Sequence, residues 1–480
     1  MKVLVSNPPW PGPGYGARSD VRWPHRRSDK YLEYPIYLSY IVAVLEKAGI
    51  EVSFIDGVAD DLSIQEFIEV VKKIDPNIVV LECSTPSINS DLMVARKLKE
   101  ELEDVFNVLI GPHATFFHKE LLSENKFIDA ISRGESDYSI RDLSFAVMKE
   151  EKLENIKGIS YRINDSIHIN ENRPLIGNLD ALPFPARHIV KSDYYREAVF
   201  TGEKCTTIVS SRGCPYRCVF CLWPGVMYGR NFRVRSPGNV VDEVEHVVND
   251  LGVDEIYFDD DCWTLNRKRA IEICKEIQNR GIDVTWMCQC RVDNVDEELL
   301  REMKKAGCHY IKYGVESGSQ KMLDAMKKGI TLEEAQKAFS ATRKVGIKTQ
   351  AFFLLGLPWE THETVRETIE FAKDLKPDSA QFAVVVPHPG TELYNLCNEK
   401  GWLKFDSWED FDCRIPLIRT ENLSIREVDE YRVKAYKEFY FRPSYMFKTL
   451  LKMRNLKEAK RIIKSSKSII ERILYYKPEG

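Results

Sequence analysis

The chain has no apolar run long enough to cross a bilayer. Its longest nearly apolar stretch, Tyr34–Leu45, contains Ser39 and falls short of the ~20 residues a spanning helix needs. It has no excess of positive charge. Its 69 Lys and Arg face 73 Asp and Glu, and the net charge of −4 argues against a general nucleic-acid binder. No G-x-G-x-x-G stands ahead of an acidic residue at the usual distance, so a dinucleotide site is not expected. Cysteine is too sparse, at 12 in 480 residues, for a secreted disulfide scaffold. The opening residues, MKVLVSNPPW, run directly into a strand pattern, so no signal peptide is expected. These absences lead to the expectation of a cytoplasmic protein. The length and the 44% hydrophobic content suit two or three domains with substantial cores.

What is present centres on Ser211–Pro224, SRGCPYRCVFCLWP. It sets Cys214, Cys218 and Cys221 in a C-x3-C-x2-C array, with Phe220 just before the last thiol. Three thiolates this close reach one centre only if the chain loops around it, and Gly213 and Pro215 suit such a loop. Thiolates select iron–sulfur clusters or zinc. Closed sites of either kind normally use four protein ligands, and no fourth Cys follows until Cys262. An iron left without a protein ligand can bind substrate.

This run resembles the signature of the radical S-adenosylmethionine (SAM) superfamily. The resemblance implies a [4Fe-4S] cluster on Cys214, Cys218 and Cys221, with SAM on the open iron. Reductive cleavage of SAM would then give a 5′-deoxyadenosyl radical. The reduction implies an electron donor of the flavodoxin or ferredoxin kind.

Upstream, short apolar runs alternate with helical patterns over residues 1–150. Strands are expected at Lys2–Ser6, Val52–Ile55, Ile78–Glu82, Val108–Ile110 and Ala130–Ser132. Helices are expected at Ile36–Ala48, Ile64–Lys73, Asp91–Leu102 and Tyr138–Lys149. Such βα alternation predicts a doubly wound parallel sheet, with ligands beyond the strand C-termini. Together with the Cys run, this half resembles the cobalamin (B12)-binding domain of B12-dependent radical SAM enzymes. The resemblance implies that Ser84, Thr85, Gly111, Pro112, His113, Gly134 and Glu135 cradle the corrin and its nucleotide tail. None of the nine His has Asp two positions before it, so no His of an Asp-x-His-x-x-Gly motif is expected on cobalt. The long loop Pro8–Tyr31 holds Trp10, Tyr15, Arg18, Arg22, Trp23, His25, Arg26 and Arg27. It reads either as a cover over cobalamin or substrate or as a mobile basic loop.

Residues 151–204 read as a linker, with a hairpin of Gly158–Arg162 and Ile167–Ile169 and a stiff Leu182–Pro185 connector. From 205 to 401 six βα units predict a partial barrel. Its strands are expected at Thr206–Ser210, Glu255–Asp259, Val284–Arg291, Tyr310–Glu316, Thr349–Leu355 and Gln381–Val386. The Cys run follows the first strand. Asp259–Asp261, Arg291, Glu316, Gly356 and the turn His388–Glu392 end the others. Phe220, Asp259, Arg291, Glu316 and Gly356 are the expected SAM contacts. Arg291 would hold the carboxylate, Glu316 the ribose, and the Gly356 backbone would approach adenine. The three acids alternatively read as a divalent-cation site or a helix cap. Cys288 and Cys290 share one strand face. They read as outer packing if Arg291 points inward, or else as ligands of a second cluster.

Residues 402–480 are expected to be mostly helical. Arg442–Lys477 carries eleven Lys and Arg against two Glu, with an apolar stripe of Ile462, Ile463, Ile469, Ile470, Ile473 and Leu474. Such a helix packs on the barrel or makes a peripheral contact with an anionic membrane surface.

The resemblance covers nearly the whole chain and implies radical modification of an unactivated carbon. Methylation of a lipid, tetrapyrrole or other apolar metabolite leads, with methylcobalamin as donor. The alternatives are radical ring formation or rearrangement without methyl transfer, and a cobalamin or redox sensor on an inactive barrel.

Overall fold

A computed structural model describes residues 2–17, 24–27, 30, 32–189, 195 and 201–451. Arg18, Arg22, Trp23 and the apolar stripe from Ile462 to Leu474 lie outside the described residues, so both readings of that stripe stand as expectations. Among the described residues no helix is long and apolar enough to cross a membrane.

The first region opens with β1 (Lys2–Asn7), the short strands β2 (Tyr15–Ala17) and β3 (His25–Arg27), and α1 (Ile36–Lys47). It continues with β4 (Glu51–Asp56), α2 (Ile64–Ile74), β5 (Ile78–Glu82), α3 (Ile88–Glu101) and β6 (Phe106–Ile110). Two short helices, α4 (Pro112–Phe116) and α5 (His118–Glu124), precede β7 (Ala130–Ser132) and α6 (Asp137–Met148). The hairpin β8 (Ile159–Ile163) and β9 (Ser166–Ile169) ends it. The sheet order is β4-β1-β5-β6-β7-β8-β9, parallel through β7 and antiparallel from there. β4 and β5 flank β1, so the winding reverses at β1, where doubly wound sheets bind ligands. The central strands β1 and β5 are buried on both faces, as parallel strands require. The hairpin completes this sheet instead of standing apart, so the sheet runs past the boundary expected at 150.

Local chemistry sets the ends of these elements. Ser63 Oγ accepts from Glu66 N at 3.2 Å, and Ser63 N donates to Glu66 Oε2 at 2.8 Å, closing a capping box on α2. The next turns of α2 bury Phe67, Ile68 and Val71 against the sheet.

The second region starts with β10 (Cys205–Ile208), β11 (Ser211–Arg212) and β12 (Arg233–Val234), then α7 (Pro237–Asn249) and β13 (Glu255–Phe258). It proceeds through α8 (Arg267–Asn279), β14 (Thr285–Cys290), α9 (Glu297–Lys305), β15 (Cys308–Glu316), α10 (Gln320–Ala325) and α11 (Leu332–Val345). It closes with β16 (Lys348–Leu355), α12 (His362–Leu375), β17 (Ser379–Val384) and α13 (Glu392–Glu399). The six strands pair in chain order, β10-β13-β14-β15-β16-β17, all parallel, and the two end strands do not pair with each other. This is the expected open barrel.

Alternate residues divide the barrel's two faces. Ile256, Phe258, Trp286, Cys288 and Cys290 pack outward against α7, α8 and α9. Tyr257, Met287 and Tyr310 fill the interior. Cys288 and Cys290, 3.6 Å apart at sulfur, are therefore outer packing.

Beyond residue 402, α14 (Ile425–Tyr440) lies along β17 and α15 (Pro443–Leu451) follows. Tyr440 Oη donates to Ala380 O at 2.6 Å and accepts from Ala380 N at 3.0 Å. Tyr436 Oη accepts from Phe382 N at 3.2 Å. The stretch 402–424 is largely irregular, where helix was expected.

Candidate functional site

The Cys loop leaves β11 through Gly213 and turns back on itself, with Cys221 N donating to Cys218 O at 3.2 Å. Cys214 is buried, and Cys218 and Cys221 are partly exposed. Burial, followed by the charge of Asp261, pushes the Cys214 thiol up to about 12. Phe220 packs into the barrel's outer core beside Val219. A wide helical turn, Trp223–Met227, follows the loop.

That turn meets the first sheet at its strand C-termini. Thr115 Oγ1 donates to Met227 Sδ at 3.8 Å, and a Cβ on Gly134 would stand 3.5 Å from Met227 O. Tyr37 packs on Trp223 and Tyr228 at ring distances of 5.7 and 5.0 Å. The C-terminal ends of both sheets thus face one another across the Cys loop.

On the sheet side, β5 leads into Ser84, whose Oγ lies 2.8 Å from Ser87 Oγ, shaping a tight turn with Thr85. Thr85 Oγ1 lies 3.3 Å from His113 Nδ1. Gly111 has φ +102°, and a Cβ there would meet Cys83 O at 2.3 Å, so only glycine lets β6 turn into Pro112 at the start of α4. Gly134 N donates to Thr115 Oγ1 at 3.1 Å.

On the barrel side, Glu316 ends β15 with φ +70° at a register shift. A strained backbone of this kind clusters at functional positions. Its Oε1 accepts from Lys328 Nζ at 2.7 Å, while its buried Oε2 has no partner among the described residues. Asp259 Oδ1 accepts from Gln289 Nε2 at 2.8 Å. Asp260 turns to Ser210 and Ser211, and burial raises its carboxyl to about 6. The tight loop after β16 is held by Glu360 Oε2, which accepts from Gly356 N at 2.5 Å and Leu357 N at 3.1 Å.

Two family models match the chain. The B12 binding domain covers residues 26–144, and the Radical SAM superfamily covers residues 208–372. An uncharacterised methyltransferase of Pyrococcus horikoshii is 34% identical over 416 residues, 87% of this chain and 90% of the relative. The chain belongs to the cobalamin-dependent radical SAM family. The anaerobic magnesium-protoporphyrin IX monomethyl ester cyclase of Cereibacter sphaeroides is 32% identical, over 85% of this chain and 67% of its own length. Among solved structures, the cobalamin-dependent radical SAM enzyme OxsB shares the fold at a TM-score of 0.75 and 18% identity, over 99% of this chain and 72% of that one. The methyltransferase TsrM of Kitasatospora setae does so at 0.65 and 19%, over 84% and 79%.

This cobalamin-dependent radical SAM enzyme uses a [4Fe-4S] cluster, SAM and cobalamin. Its residues fit them unevenly. No three His, Cys, Asp or Glu side chains among the described residues converge tightly enough for a single metal ion. A four-iron cube takes each thiolate on a different iron, so its ligands surround a volume instead of meeting at a point. Three free thiols carried on one loop are the soft donors that such a cluster takes. The unpaired Oε2 of Glu316 suits a hydroxyl-rich ligand such as ribose. Gly111, Thr85 and His113 suit a ligand at the sheet's strand ends.

Several expected roles meet a different arrangement. Arg291 Nε and Nη2 bond Asp293 at 2.9 and 3.0 Å, and Nη2 also bonds Lys328 O at 2.8 Å. Its guanidinium stacks on Tyr216 at 3.4 Å, so it braces the Cys loop and is not an open fork for a carboxylate. Glu135 is buried in bonds from Arg233 at 2.7 Å, Arg212 at 3.4 Å and Ile176 N at 2.7 Å, so its carboxylate ties the two regions together instead of facing a corrin. Gly356, at φ +85°, would press a Cβ on Val428 at 3.0 Å, so its glycine serves the turn and α14. The three acids do not form one cation site, because Asp259 and Asp260 turn to different partners.

Sequence reading missed Glu360 and Lys328. The Gly356-to-Glu360 spacing was a signal for the first, since a carboxylate four residues on can close the turn. Nothing local pointed to Lys328, whose partner Glu316 ends the strand before α10.

The loop after β1 is pinned in its described part. The Arg26 guanidinium lies 4.3 Å over the Trp10 ring, and Arg26 N donates to Asp412 Oδ2 at 3.0 Å.

Proposed function

We propose that the protein methylates an unactivated carbon of a small apolar metabolite, such as a lipid or a tetrapyrrole. The observation that carries this reading is the approach of Gly134 and Thr115, at the strand ends of the first sheet, to Met227 in the turn after Cys221. A substrate bound beside this contact would lie close to both cofactor sites. When bound, the cluster and SAM supply a carbon-centred radical, and cobalamin supplies a methyl group. The chain's own part is to align and to keep water out. Trp223, Tyr228 and Tyr37 pack at tilted angles into an aromatic wall beside the Cys loop. Phe116, from the first region, and Tyr394, from the second, pair edge to face at a ring distance of 6.2 Å. The Pyrococcus horikoshii relative's description as a methyltransferase supports the reading. The electron for SAM cleavage would come from a flavodoxin- or ferredoxin-like donor.

The test is anaerobic incubation with methyl-labelled SAM, cobalamin and a lipid-plus-metabolite extract, followed by mass spectrometry. Label in a product carbon supports methylation. Ring formation is the second reading, favoured by the cyclase relative of Cereibacter sphaeroides. A product that has lost hydrogen without gaining label would replace the first reading with the second.

A further inference from the structure

Tyr216 stands between Cys214 and Cys218, in the loop that carries the cluster's ligands. Its half-buried ring is gripped by two residues of the short turn that follows β14. Asn294 Nδ2 donates to Tyr216 Oη at 2.9 Å. The Arg291 guanidinium lies over the ring face, 3.4 Å from its centre. An aromatic face is the negative side of the ring and attracts a cation placed there. The backbone of the same residue is held as well, since Arg230 Nη1 donates to Tyr216 O.

The guanidinium is fixed along its other edges. Nε and Nη2 donate to Asp293 at 2.9 and 3.0 Å. Nη2 also donates to Lys328 O at 2.8 Å and to Gly329 O at 3.3 Å. The side chain is 6% exposed. Arginine keeps its proton inside proteins, so the charge is permanent. Cys218 lies within reach of that charge. At Tyr216 the charge of Arg291 counts for more than that of Asp293. Lys328 also reaches Cys218 with its charge, but its Nζ donates to Glu316 Oε1 at 2.7 Å, in the pocket expected for SAM. The bonds of Arg291 go to Asp293 and to backbone carbonyls, outside that pocket.

Three thiolates leave a bound four-iron cluster negatively charged, and reduction adds one more negative charge. The potential of such a cluster follows the charge, hydrogen bonding and exposure around its sulfurs. A buried cation favours the more negative state, and burial limits screening by water and salt. For a titrating group, an opposite charge within about 4–6 Å is worth about one to three decades in the equilibrium. An added electron answers to the same Coulomb attraction.

We propose that Arg291, stacked on Tyr216 beside Cys218, raises the reduction potential of the cluster and so eases the electron transfer that precedes SAM cleavage. Arg291 is a positioning residue, acting through its charge and its hold on Tyr216. One electron passes from the flavodoxin- or ferredoxin-like donor, and Arg291 exchanges neither a proton nor a bond. The inference rests on the cluster alone, so it is the same for methylation and for ring formation.

The test reconstitutes the full chain with iron and sulfide under anaerobic conditions, without substrate. The chain is poised at a series of potentials, and the reduced cluster is counted by electron paramagnetic resonance. At the poise where the natural chain is half reduced, Arg291→Gln should lower the ratio of reduced to oxidised cluster about tenfold, which is about 59 mV downward for a one-electron couple. Asp293→Asn should raise the ratio, by roughly threefold, because it removes the counterion and keeps an acceptor for the guanidinium. Iron content should stay at about four atoms per chain in both. Opposite shifts from the two partners of one ion pair are the mark of charge, whereas loss of a mere brace would move both variants the same way. A ratio for Arg291→Gln within about twofold of the natural chain overturns the proposal, as do shifts of equal sign. Should the Gln chain fail to hold iron, Asp293→Asn decides alone. A raised midpoint then supports the proposal, and an unchanged or lowered one overturns it.

Discussion

Arg212 and Asp137 form a buried bidentate pair, with Nη1 to Oδ2 at 2.9 Å and Nη2 to Oδ1 at 3.1 Å. One partner stands just before Cys214 and the other just after Gly134. The pair therefore ties the Cys loop to the strand ends of the first sheet, and Glu135 and Arg233 extend the tie.

Breaking that tie from one side should be costly. Arg212→Met leaves Asp137 as an uncompensated buried charge, and the expected loss is about 3–5 kcal/mol, read by anaerobic denaturant titration. Arg212→Met combined with Asp137→Leu should recover much of that loss, since neither charge is then stranded. A double variant as weak as the single one would count against an ionic origin.

Iron content separates the two groups of thiols. Ser at Cys214, Cys218 or Cys221 should abolish the cluster. Ser at Cys288 and Cys290 should leave about four iron atoms per chain, where about eight in the natural protein would reveal a second cluster. The outward packing of Cys288 and Cys290 beside Trp286 is the reason.

Glu360 makes stability fall with rising pH. Its carboxyl is fully buried, and burial raises it from 4.5 to about 8 against the pull of two backbone N–H groups. Between those values the unfolded chain has lost a proton that the folded chain still holds. Folding is therefore favoured below 4.5 and weakens by up to about 1.4 kcal/mol per pH unit on the way to 8. Glu360→Gln keeps an acceptor for Gly356 N and Leu357 N. It should flatten this slope in urea titrations from pH 5 to 8, and an unchanged slope would assign the dependence to other groups.

Gly111→Ala should separate the cobalamin face from the barrel. The added methyl would strike Cys83 O, and φ +102° costs an L-residue about 1–3 kcal/mol besides. The expected result is loss of bound cobalamin with iron content kept, measured on the purified reconstituted protein.

Much of this arrangement was legible in the sequence because it follows from periodicity. The strands Ile78–Glu82 and Ala130–Ser132 appear where apolar spacing placed them. The short helices α4 and α5 escaped because each is too brief to show a helical period, and their placement depends on Gly111 and Pro112 turning the chain. At the site, Glu316 is a strand-end acid on the page and a half-paired carboxylate in the fold. Arg291 and Glu135 look like ligand-binding charges in sequence. Their partners, Asp293, Arg212 and Arg233, absorb them in the structure. A one-dimensional reading shows that a charge is present but not what neutralises it across the chain.

The phenols of Tyr436 and Tyr440 occupy the backbone groups of Ala380 and Phe382 on the outermost barrel strand. An open barrel has a raw border, and a raw border recruits strands from other molecules. The helix carrying these tyrosines therefore acts as a guard against self-association, and the barrel can stay open toward its partner region without becoming a seed for aggregation. Removing the helix would expose that seam, however complete the catalytic residues remained.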